Sequence, residues 1–214
     1  MRVGLYTSPH LLRYNERVRI AGRRGNRRRA AGGIRVPWTM RASRRRADGA
    51  PTPLTYFEFG TLAALWLFAR AELDALVLEV GLGGRLDAVN VVDADGGGTH
   101  ERRLSTTRII SAPPREDIGR EKAGIFRAGR PALSARIRIR PRAWSRARRN
   151  RGAACLRIGR DYGFRRTKAR NGAIGDRAAS APACPFPALR GAYQLGNAAT
   201  AFAVLDLLGD RDCP

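Results

Sequence analysis

The hydrophobic pattern of this chain predicts an α/β fold. Short apolar runs at residues 3–6, 18–20 and 73–80 are typical of strands. The last run ends in a glycine-rich loop, and we expect it to be buried on both faces of a parallel sheet. Apolar residues recur at helical spacing over 56–71 and 192–208, which predicts two helices. A helix followed almost at once by a strand favours a doubly wound arrangement.

The same spacing predicts which helical residues face a core. They are Leu62, Leu65, Trp66 and Ala69 in the first helix, and Leu195, Ala198, Ala199, Phe202, Leu205 and Leu208 in the second. A further regular segment spans residues 118–126, preceded by the acids Glu116 and Asp117, which suit a helix N-terminus.

Glu79 is the first candidate site residue. It lies at the end of the apolar run, and a carboxylate buried there without a partner would cost several kcal/mol. It should therefore face a cation or strong hydrogen-bond donors. Ligands bind at the carboxyl ends of strands in open parallel sheets. The alternative is a buried structural acid bonded to backbone N–H groups.

Three windows of the chain, 23–52, 96–115 and 134–157, show no credible core pattern. The chain has 41 Lys+Arg against 18 Asp+Glu and a net charge of +23. Five segments, defined by the family resemblance given below, hold equal numbers of basic and acidic residues, so the rest of the chain carries the whole excess. These segments are roughly 1–22, 54–95, 116–133, 158–165 and 187–208.

The Arg-rich stretches admit two interpretations. They would bind nucleic acid through its phosphates, but they lack interleaved aromatic residues and match no recognition module, so only non-specific binding is expected. Alternatively, GC-rich DNA read out of register yields mostly Arg, Ala, Gly and Pro, which is the composition of these stretches.

Other features of the composition exclude some classes of protein. The three cysteines have no metal-ligand spacing, and an odd count argues against a disulfide framework. The longest strongly apolar run, 62–69, is far shorter than the ~20 residues of a membrane helix. No signal-peptide pattern is visible. We expect a cytoplasmic monomer with no membrane segment.

Four motifs, at residues 6–11, 54–61, 79–88 and 119–126, carry a family resemblance. They read Tyr-Thr-Ser-Pro-His-Leu, Leu-Thr-Tyr-Phe-Glu-Phe-Gly-Thr, Glu-Val-Gly-Leu-Gly-Gly-Arg-Leu-Asp-Ala and Gly-Arg-Glu-Lys-Ala-Gly-Ile-Phe. In this order they resemble folylpolyglutamate synthase/dihydrofolate synthase, a family of Mur-ligase-like ATP-dependent amide ligases.

The resemblance implies a partial, doubly wound (Rossmann-like) Mur-ligase-type ATPase domain over residues 1–208, disrupted by the Arg-rich windows. Residues 209–214 would be a truncated tail. The family's phosphate-binding loop lies upstream of the first motif, and its C-terminal domain follows the last helix. We expect both to be missing from this chain.

The resemblance also implies a reaction, in which ATP and Mg²⁺ support the addition of L-glutamate to dihydropteroate or folylpolyglutamate through an acyl phosphate. Ser8 and Glu79 match metal ligands of the family. Lys122 matches a lysine that is carbamylated in many members and then ligates a second metal. The alternatives are a turn or cap role for Ser8 and a surface ion pair of Lys122 with Glu121 or Glu116.

Two short segments resemble the walls of the family's dihydropteroate pocket. They are Thr55, Tyr56, Phe57 and Glu58, and Leu86, Asp87 and Ala88. Phe57 would otherwise be a plain core residue, and Asp87 a cap of the next turn. Asn197 matches an asparagine that contacts ATP, and its alternative is an N-cap at a helix start.

A histidine metal ligand of the family has no counterpart in this chain. The family has Asp-His-Thr-Asp-Trp/Tyr-Leu-Gly where this chain has residues 105–112. Those residues can be encoded by TCG ACC ACA CGG ATT ATC TCG GCC, and the same letters read from the third base give Asp-His-Thr-Asp-Tyr-Leu-Gly. We therefore interpret the Arg-rich windows as frame errors in the gene or its sequencing, and expect little or no ligase activity from the present chain. A non-functional translation product is the remaining alternative.

Overall fold

A computed structural model describes most of the patterned parts of the chain. The described residues are 1–24, 53–99, 115–134, 154–166, 171–176, 183–185, 187–188 and 191–209. They fall into two compact units, Met1–Val92 and Asp93–Pro214. The α/β class predicted from the hydrophobic pattern is confirmed. No helix among the described residues is long and apolar enough to cross a membrane.

The described residues of the first unit form a four-stranded sheet and one α-helix. Its elements are β1 (Val3–Tyr6), β2 (Val18–Ile20), β3 (Arg23–Arg24), β4 (Ala75–Leu78), α1 (Tyr56–Phe68) and two 3₁₀ turns, Tyr14–Arg17 and Ala88–Val91. The strand order is β3-β2-β1-β4. Strands β1 and β4 are parallel, whereas β1–β2 and β2–β3 are antiparallel. The carboxyl ends of β1 and β4 therefore lie at one edge of the sheet.

The core of the first unit lies between the sheet and α1. Its buried residues are Tyr6, Val18, Ala64, Phe68 and Val89. Tyr6, at the end of β1, is fully buried. Burial of such large apolar groups is the main term that holds a helix against a sheet.

The predicted core face of α1 is wrong in part. Leu62 is 42% exposed and Ala69 is exposed, whereas Gly60, Thr61 and Ala64 are buried. Small residues form the contact face because the helix approaches its neighbours closely there. The helix also ends at Phe68 rather than at residue 71, since Ala69 is already its C-cap.

The prediction that residues 73–80 form a strand buried on both faces is also wrong. The strand is shorter, and Leu76 and Val77 are 37% and 52% exposed. Among the strands that the structure describes, β4 is at the edge of the four-stranded sheet. An edge position explains why its outward residues are not covered.

Where the structure describes the second unit, it has two small sheets and two α-helices. A parallel sheet has the order β5-β6-β7 and an antiparallel sheet the order β10-β9-β8. The strands are β5 (Gly97–Thr99), β6 (Pro131–Ser134), β7 (Ala154–Arg157), β8 (Tyr162–Arg166), β9 (Asn171–Asp176) and β10 (Ala183–Pro185), and the helices are α2 (Arg115–Ala123) and α3 (Ala192–Gly209).

Hydrogen bonds and apolar packing join α3 to the strands of its unit. Leu133, Ile158, Tyr162 and Ala199 form one buried cluster. The Tyr162 hydroxyl donates to the Ser134 carbonyl at 2.8 Å and lies 3.0 Å from the Thr200 hydroxyl. Burial raises the pKa of Tyr162 to about 12.

Two expectations for the second unit need correction. Strands β5 and β7 lie inside the windows 96–115 and 134–157, where no strand was expected, because parallel pairing with β6 outweighs the weak local pattern. On α3, Leu195 and Ala199 are buried as predicted, but Phe202 and Leu205 are 42% and 57% exposed. The face that packs also carries Ala203, Val204 and Leu207.

The remaining parts of the irregular windows, 25–52, 100–114 and 135–153, lie outside the described residues. The disruption predicted for them stays a prediction, as do the proposed domain limits.

Candidate functional site

Ser8 and Glu79 meet at the carboxyl edge of the parallel pair β1 and β4. The last paired residues of these strands are Tyr6 and Leu78, and the Glu79 N–H donates to the Tyr6 carbonyl at 2.9 Å. The Ser8 N–H then donates to Glu79 Oε2 at 2.8 Å. The structure therefore brings together the two residues predicted to ligate a metal.

Glu79 is not the buried carboxylate that the sequence predicted. It follows the strand and is exposed, and among the described residues its carboxylate accepts one N–H and contacts no cation. Because the edge strand leaves this end open to solvent, no large desolvation cost has to be offset. Glu79 therefore matches neither of its two predictions, a buried acid that faces a cation and a buried structural acid.

The donors at this edge fit a magnesium ion that keeps its waters. Mg²⁺ binds through one or two carboxylates and retains several water ligands. Glu79 Oε1 accepts no hydrogen bond from another described residue. The described part of the chain contains no cluster of three or more His, Cys, Asp or Glu that would enclose a metal. An exposed carboxylate beside a serine thus suits a hydrated ion better than a closed protein cage.

Thr55 and Glu58 form the N-terminal cap of α1. Glu58 Oε2 accepts from the Thr55 N–H at 2.6 Å, and Thr55 Oγ1 accepts from the Glu58 N–H at 3.2 Å. The hydrogen bond from the Thr55 backbone lowers the pKa of the Glu58 carboxyl. This reciprocal capping box satisfies two helix N–H groups that would otherwise lack partners.

The two aromatic residues between them differ in exposure. Phe57 is half-buried and packs against the core of its unit, as its plain-core alternative predicts. A Cβ at Gly81 would lie only 2.6 Å from Phe57 Cζ, so glycine is needed where the loop crosses this ring. Tyr56 is 66% exposed, with its ring 5.4 Å from that of Tyr14. Tyr56 is therefore the more accessible ring.

Asp87 stabilises the glycine-rich loop that follows β4 through hydrogen bonds to its backbone. Its Oδ2 accepts from the Leu82 N–H at 2.9 Å and its Oδ1 from the Val89 N–H at 3.0 Å. It thereby caps the 3₁₀ turn after it, which is the alternative that the sequence left open. Gly84, with φ at 146°, takes a conformation that other residues rarely adopt. Leu86 is 78% exposed and Ala88 half-buried.

Lys122 and Asn197 both belong to the second unit. Lys122 is half-buried near the end of α2, and within the described residues its amine forms no ion pair. Asn197 is exposed inside α3, where its amide donates to Gln194 Oε1 at 3.2 Å. The N-cap alternative for Asn197 is wrong because the helix starts at residue 192.

The structure adds residues that the sequence did not single out. Arg17 is buried at 9% exposure, and its Nε donates to His10 Nδ1 at 2.9 Å. Its guanidinium lies 5.2 Å from the ring centre of Tyr14. Burial raises the pKa of Tyr14 to about 12. The only sequence signal was an arginine next to Glu16, which is also typical of a surface pair.

Comparisons with known proteins agree with the motifs. The dihydrofolate synthase/folylpolyglutamate synthase of Escherichia coli is 40% identical over 211 residues, covering 97% of this chain and 46% of the relative. The structure of E. coli FolC in complex with DHPP and ADP matches with a TM-score of 0.81 over 97% of this chain and 47% of that one, at 40% identity. No protein-family model matches.

A second solved structure extends this agreement. A bifunctional folylpolyglutamate synthase/dihydrofolate synthase with Mn, AMPPNP and L-glutamate bound is 39% identical, with a TM-score of 0.77 over 96% of this chain and 47% of that one. The chain thus spans about half the length of these proteins. The nucleic-acid-binding alternative gains no support from the comparisons.

Proposed function

Because the chain belongs to the folylpolyglutamate synthase/dihydrofolate synthase family, we propose that it is part of an ATP- and Mg²⁺-dependent ligase. The ligase joins L-glutamate to dihydropteroate or to a folylpolyglutamate. One observation carries the proposal, the contact of 2.8 Å between the Ser8 N–H and the Glu79 carboxylate. Two ligands expected from separate motifs need such proximity to share one ion.

The proposed reaction has two steps. The γ-phosphoryl group of ATP passes to the pteroate or folate carboxylate, which gives an acyl phosphate and ADP. The amine of glutamate then attacks the acyl carbon, phosphate leaves, and the amine proton is lost to solvent. Phosphoryl transfer depends on alignment and charge neutralisation more than on covalent help from the protein. Mg²⁺, when bound, supplies that neutralisation.

In this proposal the residues of the first unit hold the ion and the pterin. The Ser8 hydroxyl and the Glu79 carboxylate are oxygen ligands of the ion. The segments from Thr55 to Glu58 and from Leu86 to Ala88 form the pterin pocket, with Asp87 keeping the loop in shape through its bonds to two N–H groups. Exposure of Leu86 supports a role in contact with a ligand.

The second unit contributes Lys122 and Asn197 to the proposal. Reaction of the Lys122 amine with CO₂ forms a carbamate and releases a proton, which turns a cation into an oxygen donor for a second metal. Arg cannot replace it there. Asn197 is exposed on α3 and is proposed to contact ATP. A cytoplasmic, monomeric protein remains the expectation for the whole enzyme.

Metal binding provides the first test of the site. Mn²⁺ substitutes for Mg²⁺, and loss of its free EPR signal measures binding to the 214-residue chain. Glu79→Gln replaces an anionic ligand by a neutral one and should weaken Mn²⁺ binding about tenfold or more. Glu72→Gln is the matched control because Glu72 is exposed in the same unit and pairs only with Arg2 among described residues. Equal binding by wild type and Glu79→Gln would refute the site.

Substrate binding provides the second test. Calorimetric titration with dihydropteroate should give heat that Leu86→Ser reduces, because an exposed apolar contact is lost.

Release of ADP that requires both dihydropteroate and glutamate measures the reaction itself. We expect little such activity in the present chain, since the His ligand of the family has no counterpart in it. Robust activity would contradict that expectation and the frame interpretation together.

A further inference from the structure

The loop that carries Ser8 is exposed over residues 11–13, whereas Thr7, Ser8 and His10 are half-buried. Leu11 and Leu12, which follow Ser8, are 90% and 85% exposed. Burial of Leu11 and Leu12 therefore does not determine the path of this loop, and hydrogen bonds to its backbone contribute to it. The residues that supply them, Glu16 and Arg17, lie in the 3₁₀ turn that follows.

Glu16 binds three successive backbone N–H groups. Its Oε2 accepts from Leu11 at 3.0 Å and from Leu12 at 3.4 Å, and its Oε1 accepts from Arg13 at 3.1 Å. Hydrogen bonds to a carboxylate are stronger than those between neutral groups. Successive N–H groups that converge on one anion also fix the backbone conformation between them.

Arg17 holds the other part of the loop. Its carbonyl accepts from the Thr7 N–H at 2.9 Å, and its Nε donates to His10 Nδ1 at 2.9 Å. The guanidinium lies over the rings of Tyr14 and Tyr56, at 5.2 and 5.9 Å from their centres. A buried arginine with this many contacts cannot shift without breaking several of them.

These contacts leave Ser8 between two fixed points. Thr7 and His10, on either side, are both bonded to Arg17, and the Ser8 N–H is bonded to Glu79. We propose that Glu16 and Arg17 are positioning residues that set the distance between Ser8 and Glu79. They act through the loop and do not touch the ion. The role of this distance in metal binding rests on the proposed function, whereas the contact between Ser8 and Glu79 does not.

Amide exchange tests the geometry without any metal. In the 214-residue chain, Glu16→Gln should accelerate exchange of the Ser8 N–H about tenfold relative to the Leu5 N–H in β1, which corrects for any loss of overall stability. Glu16→Asp keeps a carboxylate and should restore part of the protection. Acceleration confined to Leu11, Leu12 and Arg13, with Ser8 unchanged, would overturn the inference and leave only a local role.

Mn²⁺ binding tests the consequence. Glu16→Gln should raise the Kd for Mn²⁺ roughly three- to tenfold, Glu16→Asp less, and the control Glu72→Gln not at all. Arg17→Lys, which loses the bond to His10, should act in the same direction. If wild type binds no Mn²⁺, the proposed metal site is wrong. The exchange rate of the Ser8 N–H in Glu16→Gln then still tests whether Glu16 positions Ser8. Unchanged Kd values in Glu16→Gln, with Mn²⁺ bound by wild type, would refute it.

Discussion

Gly60 offers a sharp test of the packing around the site. It lies on the buried face of α1, and a Cβ built there would overlap the Tyr14 hydroxyl and lie 3.2 Å from Tyr14 Cζ. Gly→Ala in a helix ordinarily stabilises by about 1 kcal/mol. Here the methyl group has no space, so Gly60→Ala should destabilise the first unit instead.

The magnitude follows from what must move. The Tyr14 oxygen and Cζ are both fixed in the plane of the ring, so rotation of the hydroxyl relieves neither contact and the ring itself must shift. That ring packs between those of His10 and Tyr56, at 5.7 and 5.4 Å, with Arg17 over its face. Overpacking of this kind costs about 1–3 kcal/mol, and loss of the hydrogen bond between the Tyr14 and Tyr6 side chains about 1 kcal/mol more. After the helix gain is subtracted, the net loss is about 2 kcal/mol.

Amide exchange of the α1 backbone measures this loss, which corresponds to about thirtyfold faster exchange. Gly196→Ala in α3 is the matched control, because a Cβ there meets Ile158 Cδ1 at an ordinary 3.7 Å and should stabilise its helix. Tyr14→Phe removes the overlapping oxygen and should recover part of the loss in the Gly60→Ala background. Slower exchange in Gly60→Ala than in wild type would refute the packing argument.

Three further predictions concern the fold and the sequence. Thr55→Ala removes the cap of α1 and should destabilise the chain by about 1 kcal/mol in urea unfolding, whereas Thr55→Ser keeps the hydroxyl and should cost much less. Burial raises the pKa of Tyr162 from 10.0 to about 12. The contribution of the neutral Tyr162 hydroxyl to the free energy of unfolding is therefore fully present below pH 10 and is lost as the pH rises towards 12. In Tyr162→Phe, the urea midpoint should fall less over this pH range than in wild type. Resequencing of the DNA for residues 105–112 should add or remove one or two bases and return Asp-His-Thr-Asp-Tyr-Leu-Gly, and an unchanged frame would contradict our interpretation.

The positions of strands and helices were largely predictable from the sequence, but the faces of the helices were not. Strand β1 was predicted with its observed limits, because a short apolar run before Pro9 has few other structures open to it. On α1 the apolar scale favours Leu62 over Gly60, yet Gly60 is buried. Close approach of a helix selects small residues, and hydrophobicity alone does not reveal which face approaches closely.

The candidate site was predictable only in part, for Ser8 and Glu79 but not for Glu16 and Arg17. Parallel pairing of two strands places their carboxyl ends together, so the proximity of Ser8 and Glu79 follows from the fold. The contacts of Glu16 and Arg17 depend on a 3₁₀ turn that folds back over the preceding loop. No periodicity marks such a turn, because its hydrogen bonds join side chains to a loop backbone rather than repeating along an element.

The candidate residues differ in how far the fold alone explains them. Glu58 and Asp87 satisfy backbone N–H groups, so their presence needs no ligand. The fold gives no such reason for the large apolar side chains left exposed in the loops after β1 and β4. These are Leu11, Leu12, Leu82 and Leu86, each at least 78% exposed. Single exposed apolar residues are ordinary, but several in the segments next to one carboxylate support the pterin pocket that we propose. Under the proposed function, the ligand of this pocket is a flat, partly apolar pterin that carries the carboxylate to be activated.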